Sequence, residues 1–409
     1  MNLNLTVDRH TPTALASLEI DPFDTLFLSD PYAFDGKLRD AGPVVWLEIC
    51  GVYGMARYSE VSEALKDWET FRSARGVGLT DFAKEENWRP PSLLLEADPP
   101  LHSRTRSLMN KIVSLLAVRN LRSTWQAKAE ELVDRLVKRR YIDAVTDLAE
   151  VYPLLVIPDT IGLPDKRREL LLTYGAVNFN AFGPRNALFQ DSLAAASPEA
   201  IDWVAAGCRR ENLKSDGWGM AVHEASDRGE CTAEEAERLI RSFLSAGLDT
   251  TVNGIGNMIF ALAKHPQQWQ LLREDPKLLR KAFEESLRWD STVQTFFRTT
   301  SRDVEIGGTT IPEGSKVLLF LAAANRDPRH WGEDAEQFNI RRAVSGHVGF
   351  GFGIHQCLGQ MVARQEAELI LEALISRVAE VRLTGEPKRR LNNTLHALAQ
   401  LPVELTPAT

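Results

Sequence analysis

A mainly α fold with a small β portion, forming one unit over residues 1–409, is predicted by three observations. Apolar residues recur at helical spacing in several long stretches, β-branched and aromatic runs are few and short, and no repeat, low-complexity tract or Gly/Ser/Pro linker divides the chain. With 44% hydrophobic residues the chain can bury a large core. Its net charge of −8, with no Lys/Arg run, excludes the phosphate-neutralising surface of a nucleic-acid binder.

Taken in order, MNLNLTVDRHTPTALASLEIDPFD has no basic segment followed by an apolar run, so neither a signal peptide nor a membrane anchor is expected and the protein belongs in the cytoplasm. VVWLEICGVYGMARY, from Val44 to Tyr58, reads as a β-hairpin across Cys50-Gly51. Helical periodicity covers 107–138, 144–161, 232–264, 268–287 and 358–378, and short strands are expected at 304–311 and 401–405. The longest apolar run, Val317 to Ala324, is too short to span a bilayer. Cys50, Cys208, Cys231 and Cys357 form no CxxC pair, which fits a reducing compartment and small core hydrophobes.

One cysteine stands apart. FGFGIHQCLG, from Phe350 to Gly359, strips a loop of side chains and ends on Cys357 at the mouth of an amphipathic helix. Gly351, Gly353 and Gly359 suit sharp bends or passage beside something flat, and a helix N-terminus favours a thiolate. A buried structural cysteine in an ordinary turn is the competing reading, and the stretch alone does not decide. The GxG at Gly351 and Gly353 is not a dinucleotide fingerprint, because Gln356 replaces its third glycine.

Phe350, Gly353, His355, Cys357 and Gly359 resemble the haem-binding signature of the cytochrome P-450 superfamily, the haem-thiolate monooxygenases. The resemblance implies haem b with Cys357 as the metal's axial thiolate, Phe350, Gly351 and Gly359 around it, and backbone donors at Leu358 and Gly359. Other stretches fall in the family's order. EESLR supplies Glu285 and Arg288, helical i,i+3 neighbours, and Arg342 follows as the third member of a structural network. DPPLHSRTR places His102 and Arg106 on one helical face; with Arg298 and His355 the resemblance makes them donors to the haem propionates. ANRDP, from Ala324 to Pro328, is a structural marker.

The 232–264 helix opens with a capping box, Thr232 and Glu235, and carries AGLDTT at its centre, where Gly247 and two threonines make a local distortion plausible. The family sets dioxygen in a groove here, beside Ala246 and Gly247, with an acid and an alcohol that deliver protons; Asp249 and Thr250 match as catalytic residues. Helical geometry puts Ser242, Ala246, Asp249, Thr250 and Asn253 on roughly one stripe, since four residues advance by only about 40°.

The loop ENWRPPSLLLEADPP and the stretches NFNAF, RSFLSAG and TVQTFF resemble a bacterial subgroup that oxidises para-substituted benzoates. That implies Arg89, Ser92 and Ser242 at the carboxylate of a small aromatic acid, with Arg241 behind and Ser245 nearby, and a slot of Leu95, Phe179, Phe182, Ala246, Val293 and Phe296 around the ring. Each phenylalanine reads equally well as core packing. The expected reaction is O-demethylation or hydroxylation at the para position by O2. No flavin, nicotinamide or cluster motif is present, so an iron–sulfur ferredoxin with a flavin-dependent reductase is the expected electron source, docking near Lys111, Arg341 and Arg364. A peroxygenase using hydrogen peroxide and a non-enzymatic haem sensor or carrier are the competing functions, both disfavoured by the acid–alcohol pair.

Overall fold

In a computed structural model, which describes residues 15–408, helices carry most of the chain. The expected hairpin forms, Val45–Leu47 pairing antiparallel with Val52–Met55 around Gly51 at φ +63°. It lies within a six-stranded sheet ordered Ala16–Leu18, Val45–Leu47, Val52–Met55, Lys316–Phe320, Thr295–Thr300, Phe71–Arg72. The hairpin therefore packs beside residues some 260 positions later, Tyr53 opposite Val317. The apolar run after Lys316 divides: its first half is a buried central strand, and Leu321–Asn325 turns into a short helix. The single strand expected over 304–311 is two, Val304–Ile306 and Thr309–Ile311, folded back at Gly307 and Gly308, which both have positive φ. The last expected strand extends over Pro402–Pro407 and pairs with Val378–Leu383 and Tyr141–Asp143.

Several long helical stretches are interrupted. The first starts earlier than its periodicity, as Leu101–Ile112, then stops at Val113; Ser114 caps Leu115–Asn120 by accepting the Ala117 N–H, and Arg122–Arg139 follows. Residues 144–161 divide into a π-helical turn, Val145–Ala149, and the helix Val151–Ile161. Pro276, which has no N–H to continue a ladder, separates Pro266–Glu274 from Leu279–Trp289. The 232–264 stretch opens with its capping box and breaks at Gly247 and Leu248 into Ala233–Ala246 and Asp249–Lys264.

Asp249–Lys264 is buried nearly all round, with Val252, Ile255, Met258 and Leu262 at most 1% exposed, as expected of a helix at the centre of a large core. The expected Glu285–Arg288–Arg342 network is present. Arg288 donates to both Glu285 oxygens at 2.7 and 2.9 Å, both side chains are fully buried, and Arg342 Nε reaches Glu285 Oε1 at 3.3 Å. Arg288 also donates to the Asn325, Ala335 and Gln337 carbonyls, so its buried charge is well partnered. Removing one member of such a pair typically costs about 3–5 kcal/mol. Asn325 Oδ1 in turn accepts the Val348 N–H at 2.7 Å, which links this bracing to the approach to Cys357.

Candidate functional site

Two one-turn 3-10 segments, Val348–Phe350 and Gly353–His355, shape the cysteine loop, and the Cys357 N–H closes it on the Phe350 carbonyl at 2.9 Å. Gly351 and Gly353 have φ of +65° and +67°, and a Cβ on Gly353 would lie 2.8 Å from the Leu65 carbonyl. Gly359 differs: its φ is an ordinary −82°, and its missing side chain leaves room 4.0 Å from Cys357 Sγ. The expected sulfur donors also shift by one residue, because the helix starts at Gln360; the N–H groups of Gly359 and Gln360 serve the sulfur. Burial raises the Cys357 thiol, while those two donors and the Arg106 and Arg364 charges draw it down.

Cys357, Phe350, Gly351 and Gly359 line a cavity of about 280 Å³. Arg106, Arg298 and His355 line it as well. Arg298 is 3% exposed, its guanidinium donates to the Phe297 carbonyl, and burial pushes its pKa down to about 10. His102 stands behind His355, ring centroids 4.4 Å apart, and burial, His355 and Arg106 push its pKa down to about 4. Neither ring nitrogen of His102 has a partner, and His355 is 3.7 Å from Asp98, beyond hydrogen-bond reach. Buried donors without acceptors are rare because each forfeits hydration. The unpartnered nitrogens of His102 and His355 stand beside one cavity that Arg106 and Arg298 also border, as two carboxylates of a bound ligand would require. A planar group with propionates would fit them, and the small residues Ala246, Gly247 and Gly351 leave it room in the same cavity. Cys50 and Cys208, by contrast, have thiols pushed up to about 12 by burial.

The break in the central helix forms a groove on the same cavity. Thr250 Oγ1 donates to the Ala246 carbonyl at 2.7 Å and Thr251 Oγ1 to Gly247 at 2.9 Å, so hydroxyls serve carbonyls at the discontinuity. Ser242, Ala246 and Thr250 line the cavity as expected. Asp249 and Asn253 do not, which corrects the five-residue stripe: Asp249 precedes Thr250 by about 100° of helix rotation. Its carboxyl packs instead on Gly175, Oδ1 accepts Asn253 Nδ2 at 3.2 Å and lies 3.5 Å from Arg390, and Oδ2 is buried without a partner. Burial raises the Asp249 pKa against the pull of Arg390 and Asn253.

The proposed slot also gathers. Arg89, Ser92, Leu95, Ser245, Val293 and Phe296 line the cavity with Phe179 and Phe182, and the Phe182 ring meets Phe179 and Phe296 edge-on, each at 5.7 Å. Ser92 Oγ and Ser242 Oγ are 3.4 Å apart. Arg241 lies outside the lining and donates to the Pro90 carbonyl at 2.9 Å, holding the loop from behind. Arg89 is not a free cation: it pairs with Glu96 at 2.9 Å and donates to Asn178 Oδ1 at 2.9 Å. Sequence reasoning missed Glu96 and Asn178; a glutamate closing the apolar run SLLLE was the available signal. The basic docking face is weaker than expected, since Lys111 pairs with Glu230 at 2.7 Å and Arg364 with Glu284 at 3.2 Å, while Arg341 is exposed.

A half-buried cysteine at a helix mouth, facing a cavity bordered by two guanidiniums and by imidazoles without partners, defines a haem-thiolate protein. Residues 219–406 match the Cytochrome P450 family. Over 96% of its length the chain is 53% identical to Cytochrome p450 CYP199A2 of Rhodopseudomonas palustris, covering 95% of that protein. It is 32% identical to Cytochrome P450 107B1 of Saccharopolyspora erythraea, with 93% and 96% covered. Among solved structures, cytochrome P450 CYP109Q5 from Chondromyces apiculatus superposes with a TM-score of 0.80 at 31% identity, over 96% of this chain and 99% of that one. Cytochrome P450 CREJ in complex with (4-ethylphenyl) dihydrogen phosphate gives 0.85 at 27% identity, over 94% and 99%. The chain belongs to the cytochrome P450 family and is a haem-dependent monooxygenase with cysteine thiolate ligation. Among the described residues no helix is long and apolar enough to cross a membrane.

Proposed function

We propose that this monooxygenase acts on para-substituted benzoates, removing an O-methyl group or hydroxylating a small para substituent. The observation that carries the reading is the Ser92–Ser242 hydroxyl pair, beside Arg89, in a cavity otherwise walled by Phe179, Phe182, Phe296, Leu95 and Val293. Two hydroxyls and a guanidinium edge offer donors to a carboxylate, and the edge-on phenylalanines hold a flat ring. Ser242 and Thr250 border the same cavity on either side of the helix break, so a ring anchored at its carboxylate presents its opposite end toward Thr250. The CREJ complex supports the reading, since its ligand, (4-ethylphenyl) dihydrogen phosphate, is also an anionic arene with a para substituent.

When bound, haem activates dioxygen and supplies the oxidant. Cys357 would hold its iron, with Gly359 and Gln360 N–H groups tuning the sulfur, and His102, Arg106, Arg298 and His355 would take the propionates. Thr250 Oγ1 lines the cavity and hands protons into it; Asp249, raised by burial and 3.5 Å from the half-exposed Arg390, takes them up from the solvent side. The phenylalanine wall excludes water from the ring. We also assign the chain a single domain over 1–409, a cytoplasmic location, and electrons from an iron–sulfur ferredoxin with its flavin-dependent reductase.

Reconstitution with such a redox pair and 4-methoxybenzoate tests the reading. Each methoxy group, with O2, two electrons and two protons, should yield a phenol, formaldehyde and water, so formaldehyde and 4-hydroxybenzoate should appear in equal amounts. The 3-methoxy isomer should give far less. Electron consumption with neither product, or equal yields from both isomers, would overturn it.

A further inference from the structure

We infer that Glu96 sets the charge selectivity of the cavity's polar end by neutralising Arg89 from behind. The inference rests on the benzoate reading above and names the residue that tunes it. Arg89 lines the cavity and Glu96 does not, and their side chains are only 10% and 2% exposed. One oxygen, Glu96 Oε2, accepts both Arg89 Nη1 at 2.9 Å and the Ser92 N–H at 2.6 Å. Arg89 Nε is held by Asn178 Oδ1, and Ser92 Oγ accepts the Leu94 and Leu95 N–H groups at 3.3 and 3.2 Å while facing Ser242. A single buried carboxylate therefore fixes both the guanidinium and the serine.

An anion entering the cavity meets an Arg89–Glu96 pair that is neutral as a whole. In a site with little water the pair's charges are poorly screened, so cancelling one of them matters more than it would at the surface. Arg238 and Arg241 face the same loop and donate to the Pro91 and Pro90 carbonyls, so the further charges behind this end are positive. Glu96 is the acid that holds this end back from binding any carboxylate tightly. Replacing it by its neutral isostere leaves Arg89 buried and uncompensated, and an incoming carboxylate becomes its natural partner.

The test compares the affinities of the holoenzyme for 4-methoxybenzoate and for methyl 4-methoxybenzoate, by equilibrium dialysis. In Glu96→Gln the acid-to-ester affinity ratio should rise roughly fivefold or more over wild type. The acid should also raise the melting temperature more in Glu96→Gln than in wild type, because it restores a missing counter-charge. An unchanged or lower ratio would overturn the inference. Should Glu96→Gln alone fail to fold, Arg89→Gln/Glu96→Gln removes both charges and keeps a hydrogen-bond donor. Its ratio should stay within about threefold of wild type; a larger fall would mean that Arg89 acts as a free cation despite Glu96. A wild-type ratio near one would sink the benzoate reading, whereas the Glu96 inference is judged only on the change between variants.

Discussion

At the scale of the residue, two buried carboxyls with unpartnered oxygens call for different outcomes. Asp249 borders the helix break, and Asp249→Asn keeps its shape while removing the group that can take up and release a proton. Turnover should fall about 100-fold with substrate affinity unchanged, measured as product formation against binding. Unaltered turnover would exclude Asp249 from proton delivery. Glu366 is fully buried, neither oxygen has a partner, and burial raises its pKa well above the usual carboxylate value. Its folded form keeps a proton that the unfolded chain loses near its ordinary pKa of 4.5. Its contribution to stability is therefore full below that value and declines as pH rises toward the folded pKa. Glu366→Gln lacks this decline, so relative to wild type it should gain stability as pH rises above 4.5, read by urea denaturation at pH 5, 6 and 7. A pH-independent difference would show that Glu366 is ionised in the fold. Residues such as Cys357, His102 and Thr250 were legible because their neighbours in sequence form recognisable patterns. Glu96 and Asn178 were not, because their meaning lies in the partners of Arg89, seven positions from one and 89 from the other, which no local pattern encodes.

At the scale of the element, helix existence was readable and helix continuity was not. The capping box at Thr232 and the stop before Pro266 bounded the central stretch correctly, and Gly247 flagged a distortion. The full break follows from tertiary packing, as Gly175 of Leu170–Asn180 crosses directly against Asp249. A Cβ at Gly175 would stand 2.6 Å from Asp249 Cβ. Gly175→Ala should therefore destabilise the protein by about 1–3 kcal/mol, seen as a lowered denaturation midpoint with the slope unchanged. A neutral substitution would mean that this crossing tolerates separation and that the helix break has another cause. The interruption at Val113 was hidden for a related reason: the apolar periodicity continues through it, and only the Ser114 cap marks the restart.

At the scale of the whole molecule, the site draws on segments near residues 89–106, 179–182, 242–250, 292–298 and 350–359, brought together around one buried helix. Sequence patterns gave the order of these segments, and the family resemblance gave their roles, but their convergence is a property of the folded chain. The dispersed basic residues show the limit: Lys111 and Arg364 read as a docking face in one dimension and pair with Glu230 and Glu284 in three. The central claim is that one cavity binds an aromatic carboxylate at its serine end with its ring against the phenylalanines. Titrating the ferric haem protein with 4-methoxybenzoate and, in parallel, its methyl ester, while following the Soret band, tests this most directly. A large high-spin shift should appear with the acid at far lower concentration than with the ester, and should weaken in Ser92→Ala and Ser242→Ala. Equal responses to acid and ester, or no response to either, would contradict it.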